Sequence, residues 1–145
     1  DLMRRFTQAE PDSSRMPDSD AQLALTALLV RLARSDGDYS TEERTRIDRV
    51  VAQRYALDPS AAAALRSEAE ALEAEAPDTV RFTRAIKDGV AYEDRIGVIE
   101  ALWQIVLTDG RRDAEEDSLM RMIAPMLGVN DRDSNIARRR LENGG

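Results

Sequence analysis

The chain has 145 residues and a formal net charge of -7, with 42% hydrophobic and 34% charged residues. It contains no His and no Cys, which removes the commonest general base, the usual zinc ligand, thiolate metal sites, disulfides and cysteine nucleophiles. The negative balance argues against the phosphate-neutralising surface that nucleic-acid binding requires.

Ala, Leu, Arg and Glu dominate, the composition of a helical domain, and the length suits one domain with a core of its own. No apolar run approaches the roughly 20 residues that span a bilayer. The chain begins at Asp1 without a Met and reads as a trimmed segment, so an upstream anchor stays open.

Residues 1–17 read as an N-terminal segment: a short helix with Leu2, Met3 and Phe6 on one side, then a linker marked by Pro11 and Pro17. The domain proper is expected over 18–142. From about Asp20 to Ser35 the pattern predicts a helix that is apolar almost all round, carrying Leu23, Leu25, Leu28, Leu29, Val30 and Leu32. Such a helix belongs at the centre of a bundle. Gly37 supplies the left-handed residue that ends helices. Ser40 with Glu43 forms a capping box for the next helix, whose buried side is Ile47, Val50, Val51 and Tyr55.

Asp58-Pro59 opens a further helix, with Pro at its first position. Its thin apolar line of Ala61, Leu65, Ala69 and Leu72 places it on the outside, and its acidic run from Glu68 to Glu75 reads as a solvated face or a seat for a basic partner. Pro77 ends it. Asp78 is expected to cap a short helix that buries Val80, Phe82 and Ile86. After Gly89 comes a second nearly all-apolar helix, from Ile96 to Leu107 and including Trp103, which reads as core. The following helix buries Leu119, Met120, Ile123, Met126 and Leu127, with Met122 off that face. Gly128 ends it, and Asp131 or Asp133 begins a last helix through Ile136 and Leu141.

One pattern recurs. Asp36, Gly37, Ser40 and Glu43 are matched at a fixed offset by Asp109, Gly110, Asp113 and Glu116, while Leu28, Leu32, Ile47 and Val50 fall on Ala101, Ile105, Met120 and Ile123. The expected fold is therefore an all-α, single-domain bundle of about seven helices, built from two duplicated helical hairpins with a pair of outer helices between them.

The capping residues account for most of this motif but not for Asp36 and Asp109, which sit where the helix dipole disfavours a carboxylate. Each Asp has two readings. It accepts hydrogen bonds from the turn's own backbone, or it joins a cation site. The candidate ligands are Asp36, Asp38, Glu42 and Glu43 in the first copy, which is preferred, and Asp109, Asp113, Glu115 and Glu116 in the second. All are oxygen donors, which suit Ca²⁺ or Mg²⁺. A true EF-hand does not fit. Aligning Asp-Gly with that loop puts Leu32 and Arg34, or Ile105 and Leu107, where it needs carboxylates.

The run from Ala33 to Glu43, with its worn copy from Thr108 to Glu116, resembles the TerB-like domain of bacterial tellurite-resistance proteins, and the resemblance extends over about Asp20 to Leu141. Asp113 replaces the Ser, and Arg112 stands where an apolar residue is usual. The resemblance implies an all-helical bundle of about seven helices in a bacterial stress- or envelope-linked setting. It also implies a cytoplasmic location, with the inner face of the membrane as an alternative, and acidic turns suspected of binding metal.

The remaining features read as bland. Arg138, Arg139 and Arg140 either meet anionic lipid or a partner's carboxylates, or simply favour a helix C-terminus. Lys87, the only Lys, would need a pocket for Schiff-base chemistry. No Gly-rich phosphate loop and no triad accompanies the carboxylates. The expected function is thus a non-enzymatic helical adaptor or scaffold working by protein contacts and tuned by a divalent cation. A dedicated Ca²⁺/Mg²⁺ binding or sensing module is the alternative, and a Mg²⁺-dependent hydrolase using paired carboxylates comes third. The sequence names no partner and sets no oligomeric state.

Overall fold

The computed structural model describes residues 18–35, 37, 39–76, 78–108 and 114–144. The expected helix at 1–17 lies outside them. Among the described residues the chain is seven helices with no strand: α1 Asp18–Arg34, α2 Thr41–Tyr55, α3 Pro59–Glu75, α4 Val80–Gly89, α5 Tyr92–Thr108, α6 Ala114–Met126 and α7 Asp131–Gly144. The all-α bundle expected from the sequence is what forms.

The two nearly all-apolar helices occupy the middle. α1 packs against α2, α3, α4 and α5, and α5 packs against α1, α2, α4, α6 and α7. Every residue of α1 from Ala24 to Val30 is buried. Thr26 is among them, and its hydroxyl is satisfied within the helix by donating to the Gln22 carbonyl at 2.7 Å. Trp103 is in the core as expected. The eight apolar positions paired by the repeat (Leu28, Leu32, Ile47, Val50, Ala101, Ile105, Met120 and Ile123) are all buried.

Local chemistry sets the helix limits. Asp58 accepts from the Ala61 N–H at 2.7 Å with Pro59 in the first turn, which satisfies one orphan donor. Asp78 accepts from the Val80 N–H at 3.1 Å, although Thr79 occupies the N-cap position and makes no side-chain cap of its own. Gly128, at φ +76°, lets the chain turn after α6.

Two inward faces differ from expectation, and a third, that of the last helix, is set by packing alone. On α3 the inward line is Ala62, Ala69 and Glu73, Ala61 is exposed, and Leu65 and Leu72 flank the line. On α4, Val80 is 40% exposed and Thr83 takes the buried place beside Phe82 and Ile86. On α7, Ile136 is 41% exposed, while the small residues Ser134 and Ala137 face in. Small residues let α7 approach α5 closely, and the Trp103 indole N–H lies 3.5 Å from the Ser134 hydroxyl.

Candidate functional site: the first acidic turn and its arginine frame

The turn between α1 and α2 is where the preferred cation ligands fall. Asp36 and Asp38 lie outside the described residues. The same holds for Asp109 and Asp113, and for the side chains of Glu115 and Glu116 in the first turn of α6. Glu43 closes the expected capping box: its carboxylate accepts from the Ser40 N–H at 3.0 Å, and its own N–H donates to the Ser40 hydroxyl at 3.2 Å. Glu42 is exposed and edges a shallow depression with Thr41, Thr45, Arg46 and Arg49. Among the described residues no three carboxylates are grouped to hold a metal.

Gly37 has φ +83°, and a Cβ built on it would meet nothing within 4 Å. The need for glycine is thus purely conformational. Gly37→Ala should cost about 1–2 kcal/mol through the left-handed backbone alone, and Gly37→Asn less, as chemical denaturation would show.

What holds this turn was not foreseen. Arg31 and Arg34, one turn apart on the last part of α1, both reach Glu73 of α3. The Nε of Arg31 lies 2.9 Å from Glu73 Oε2, and Nη1 of Arg34 lies 2.6 Å from Oε1. Arg31 also donates to the carbonyls of Glu73 at 3.2 Å and Ala76 at 2.8 Å. It thereby serves the orphan acceptors at the end of α3, where a cation is favoured.

On the far side of the turn, two guanidiniums lie over the Tyr39 ring, Arg34 at 4.9 Å and Arg44 at 5.0 Å from its centroid. Its hydroxyl donates to Glu70 Oε2 at 2.5 Å. Glu70 accepts in turn from Arg66 at 3.0 Å, and Arg66 donates to Asp48 of α2 at 2.6 Å. Partial burial, followed by the bond to the Glu70 carboxylate, raises the Tyr39 hydroxyl well above the usual phenol range. Burial acts to raise Glu70, but the hydrogen bonds from Tyr39 and Arg66 outweigh it, and its carboxyl sits below its ordinary value.

Four arginines and three carboxylates thus tie α1, the turn and α2 to α3. The acidic run from Glu68 to Glu75 is divided accordingly: Glu70 and Glu73 face inward and are paired, and Glu68 and Glu75 are exposed. The signal available in the sequence was Arg31, a charged residue interrupting an otherwise buried helix, together with the i, i+3 spacing shared by Arg31/Arg34 and Glu70/Glu73.

Two further grooves are lined by described residues. One, between α5, α6 and α7, is lined by Trp103, Met120, Ala124 and Arg138 among others. The second, between α2, α5 and α7, includes Val50, Arg54, Gly97 and Leu141. In the second groove Arg54 lies across Gly97, its Nη1 at 2.9 Å from where a Cβ would stand. Of the basic residues near the C-terminus, Arg138 lies over the Trp103 ring at 5.3 Å and pairs with Glu142, and Arg140 pairs with Glu100. Lys87 is exposed.

No helix among the described residues is long and apolar enough to cross a membrane. No curated protein and no solved structure matches the chain. The family described as Tellurite resistance protein TerB does match it, over residues 22–139. That span runs from the first apolar helix through the arginine frame to the last helix, and the chain belongs to the TerB family.

Proposed function

We propose that this TerB domain is a non-enzymatic adaptor or scaffold that works by protein contacts, with a divalent cation at the Asp36 turn adjusting its shape. The observation that carries this reading is the frame: Arg34 and Tyr39, on either side of the turn, both end on carboxylates of α3. A charge arriving in the turn is therefore felt by a helix whose other face is open to partners. The carboxylates of the frame are already engaged by arginines, and the chain has no His or Cys, which leaves little for acid–base or nucleophilic catalysis. The negative net charge speaks against a nucleic-acid partner. The family description supports a tellurite-resistance setting; a bacterial stress system, in the cytoplasm or at the inner face of the membrane, belongs to the same proposal. The matched burial of the paired apolar positions supports an origin by hairpin duplication.

Thermal unfolding of metal-stripped protein with millimolar Ca²⁺, Mg²⁺ or Mn²⁺ tests the cation. Ligand at about a hundred times its dissociation constant stabilises by ~2.7 kcal/mol, a shift that Asp36→Asn should abolish. An unchanged midpoint with every ion would remove the cation from the proposal. Amide exchange separates an adaptor from a simple cation-binding module. Cation-induced protection should extend along α3 in the former and stay within the turn in the latter.

A further inference from the structure

The outward faces of α3 and α7 are complementary to one another. On α7, Arg132, Ile136 and Arg139 share the exposed side, and Asp133, between them in the sequence, is half-buried and accepts from the Tyr92 hydroxyl. On α3, Glu68, Ala71 and Glu75 share the exposed side, surrounded by the small residues Ala64 and Ser67. Neither the two arginines nor the two glutamates are ion-paired or hydrogen-bonded to any described residue.

The spacings agree as well as the charges. Each pair is seven residues apart, about 10.5 Å along a helix at 1.5 Å per residue. Ile136 stands four residues after Arg132 and three before Arg139, and Ala71 stands three after Glu68 and four before Glu75. Laid antiparallel, Arg132 meets Glu75, Arg139 meets Glu68, and Ile136 falls on Ala71, whose small side chain leaves room for it. A parallel arrangement loses that match by one residue.

We infer that α7 of one copy docks antiparallel on α3 of a second copy of this chain, through Arg132–Glu75 and Arg139–Glu68 around Ile136 on Ala71. Within one chain the two helices pack on different neighbours, α3 on α1 and α2 and α7 on α5 and α6. The contact joins two different faces of the chain, so copies either add head to tail or close into a pair through two such contacts. In an acidic protein, general repulsion works against association, so it is this local pairing that selects the partner. Exposed pairs are individually weak and screened by salt; the assembly is concentration- and salt-dependent. It uses no residue of the Asp36 turn and stands whether or not a cation binds there.

Sedimentation equilibrium of the full chain tests this. In about 20 mM salt the average mass should rise with concentration above that of one chain. In about 1 M salt, where the screening length is roughly 3 Å, it should return to one chain. Arg132→Glu with Arg139→Glu should abolish the rise, as should Glu68→Arg with Glu75→Arg. Mixing the two double variants, or combining all four changes in one chain, should restore it. Circular dichroism of each variant confirms the helical fold.

A one-chain mass at every salt and concentration would overturn the inference, and so would association that survives either reversal. Co-sedimentation with vesicles rich in anionic lipid provides the remaining arm. Binding lost on reversing Arg132 and Arg139 but indifferent to Glu68 and Glu75, with no self-association, would assign the arginines to a membrane surface instead.

Discussion

Glu73→Ala should destabilise the domain by about 2–4 kcal/mol, against a total of roughly 5–15 kcal/mol for a domain of ordinary stability. Glu73 is 8% exposed and is the common acceptor for Arg31 and Arg34. Removing one member of a fully buried ion pair costs about 3–5 kcal/mol because the other charge is left uncompensated. Two facts reduce that figure. The Arg31 and Arg34 side chains keep 18% and 35% of their exposure, so water takes up part of the loss. Arg31 also retains its bonds to the carbonyls at positions 73 and 76. Glu73→Gln keeps an acceptor and should cost about half as much.

Urea unfolding of Glu73→Ala beside Glu68→Ala makes the measurement internal. Glu68 is exposed, and its replacement should stay within about 0.5 kcal/mol of wild type. Equal effects at the two positions would remove the frame as a structural element. If the frame also carries signals from the turn, Glu73→Ala should uncouple cation addition from exchange protection in α3, even at temperatures where the variant is fully folded.

The elements that local chemistry writes were legible in the sequence. Ser40 with Glu43, Asp58 with Pro59, and Gly37 each act on backbone groups a few residues away, so their roles can be read without a tertiary structure. The two central helices were legible too, because a helix apolar on all sides has only one place to go. The division of the α3 carboxylates was not. Alanine has little preference for either side, so in a run such as Ala61–Ala64 the inward line can rotate by a residue without breaking any pattern. That rotation is what brings Glu73 under α1. Its partner Arg31 is 42 positions away, a pairing that only packing reveals. The inward side of α7 follows packing rather than size: close approach to α5 selects Ser134 and Ala137, and the larger Ile136 is left exposed. At the candidate site, the cap role of Glu43 was legible because it is local, whereas the surrounding arginines are brought there only by packing.

Phe82→Ala should be at least as damaging as Glu73→Ala, at about 3–5 kcal/mol, for a different physical reason. Phe82 is 1% exposed and, with Ile86, forms the apolar side of the ten-residue helix α4. A helix this short is not stable by itself, and its attachment depends on that side packing against α1. Truncation to Ala both removes transfer free energy and leaves a cavity that the close-packed α1 cannot collapse to fill. A second loss is electrostatic: the Arg31 guanidinium lies 5.6 Å from the Phe82 ring centroid, and a cation over a ring at this distance is stabilised by about 0.5–1 kcal/mol. The ring thus forms one wall of the setting that holds Arg31 toward Glu73. A double-mutant cycle between Phe82→Leu and Arg31→Met should show a coupling of about 0.5–1 kcal/mol, with Leu keeping most of the core volume so that the cavity term stays small. Additive effects would separate α4 from the frame and reduce Phe82 to ordinary core. Coupling would make α4 the second outer helix, after α3, whose docking depends on the state of Arg31, and the effect of the turn would then reach both α3 and α4.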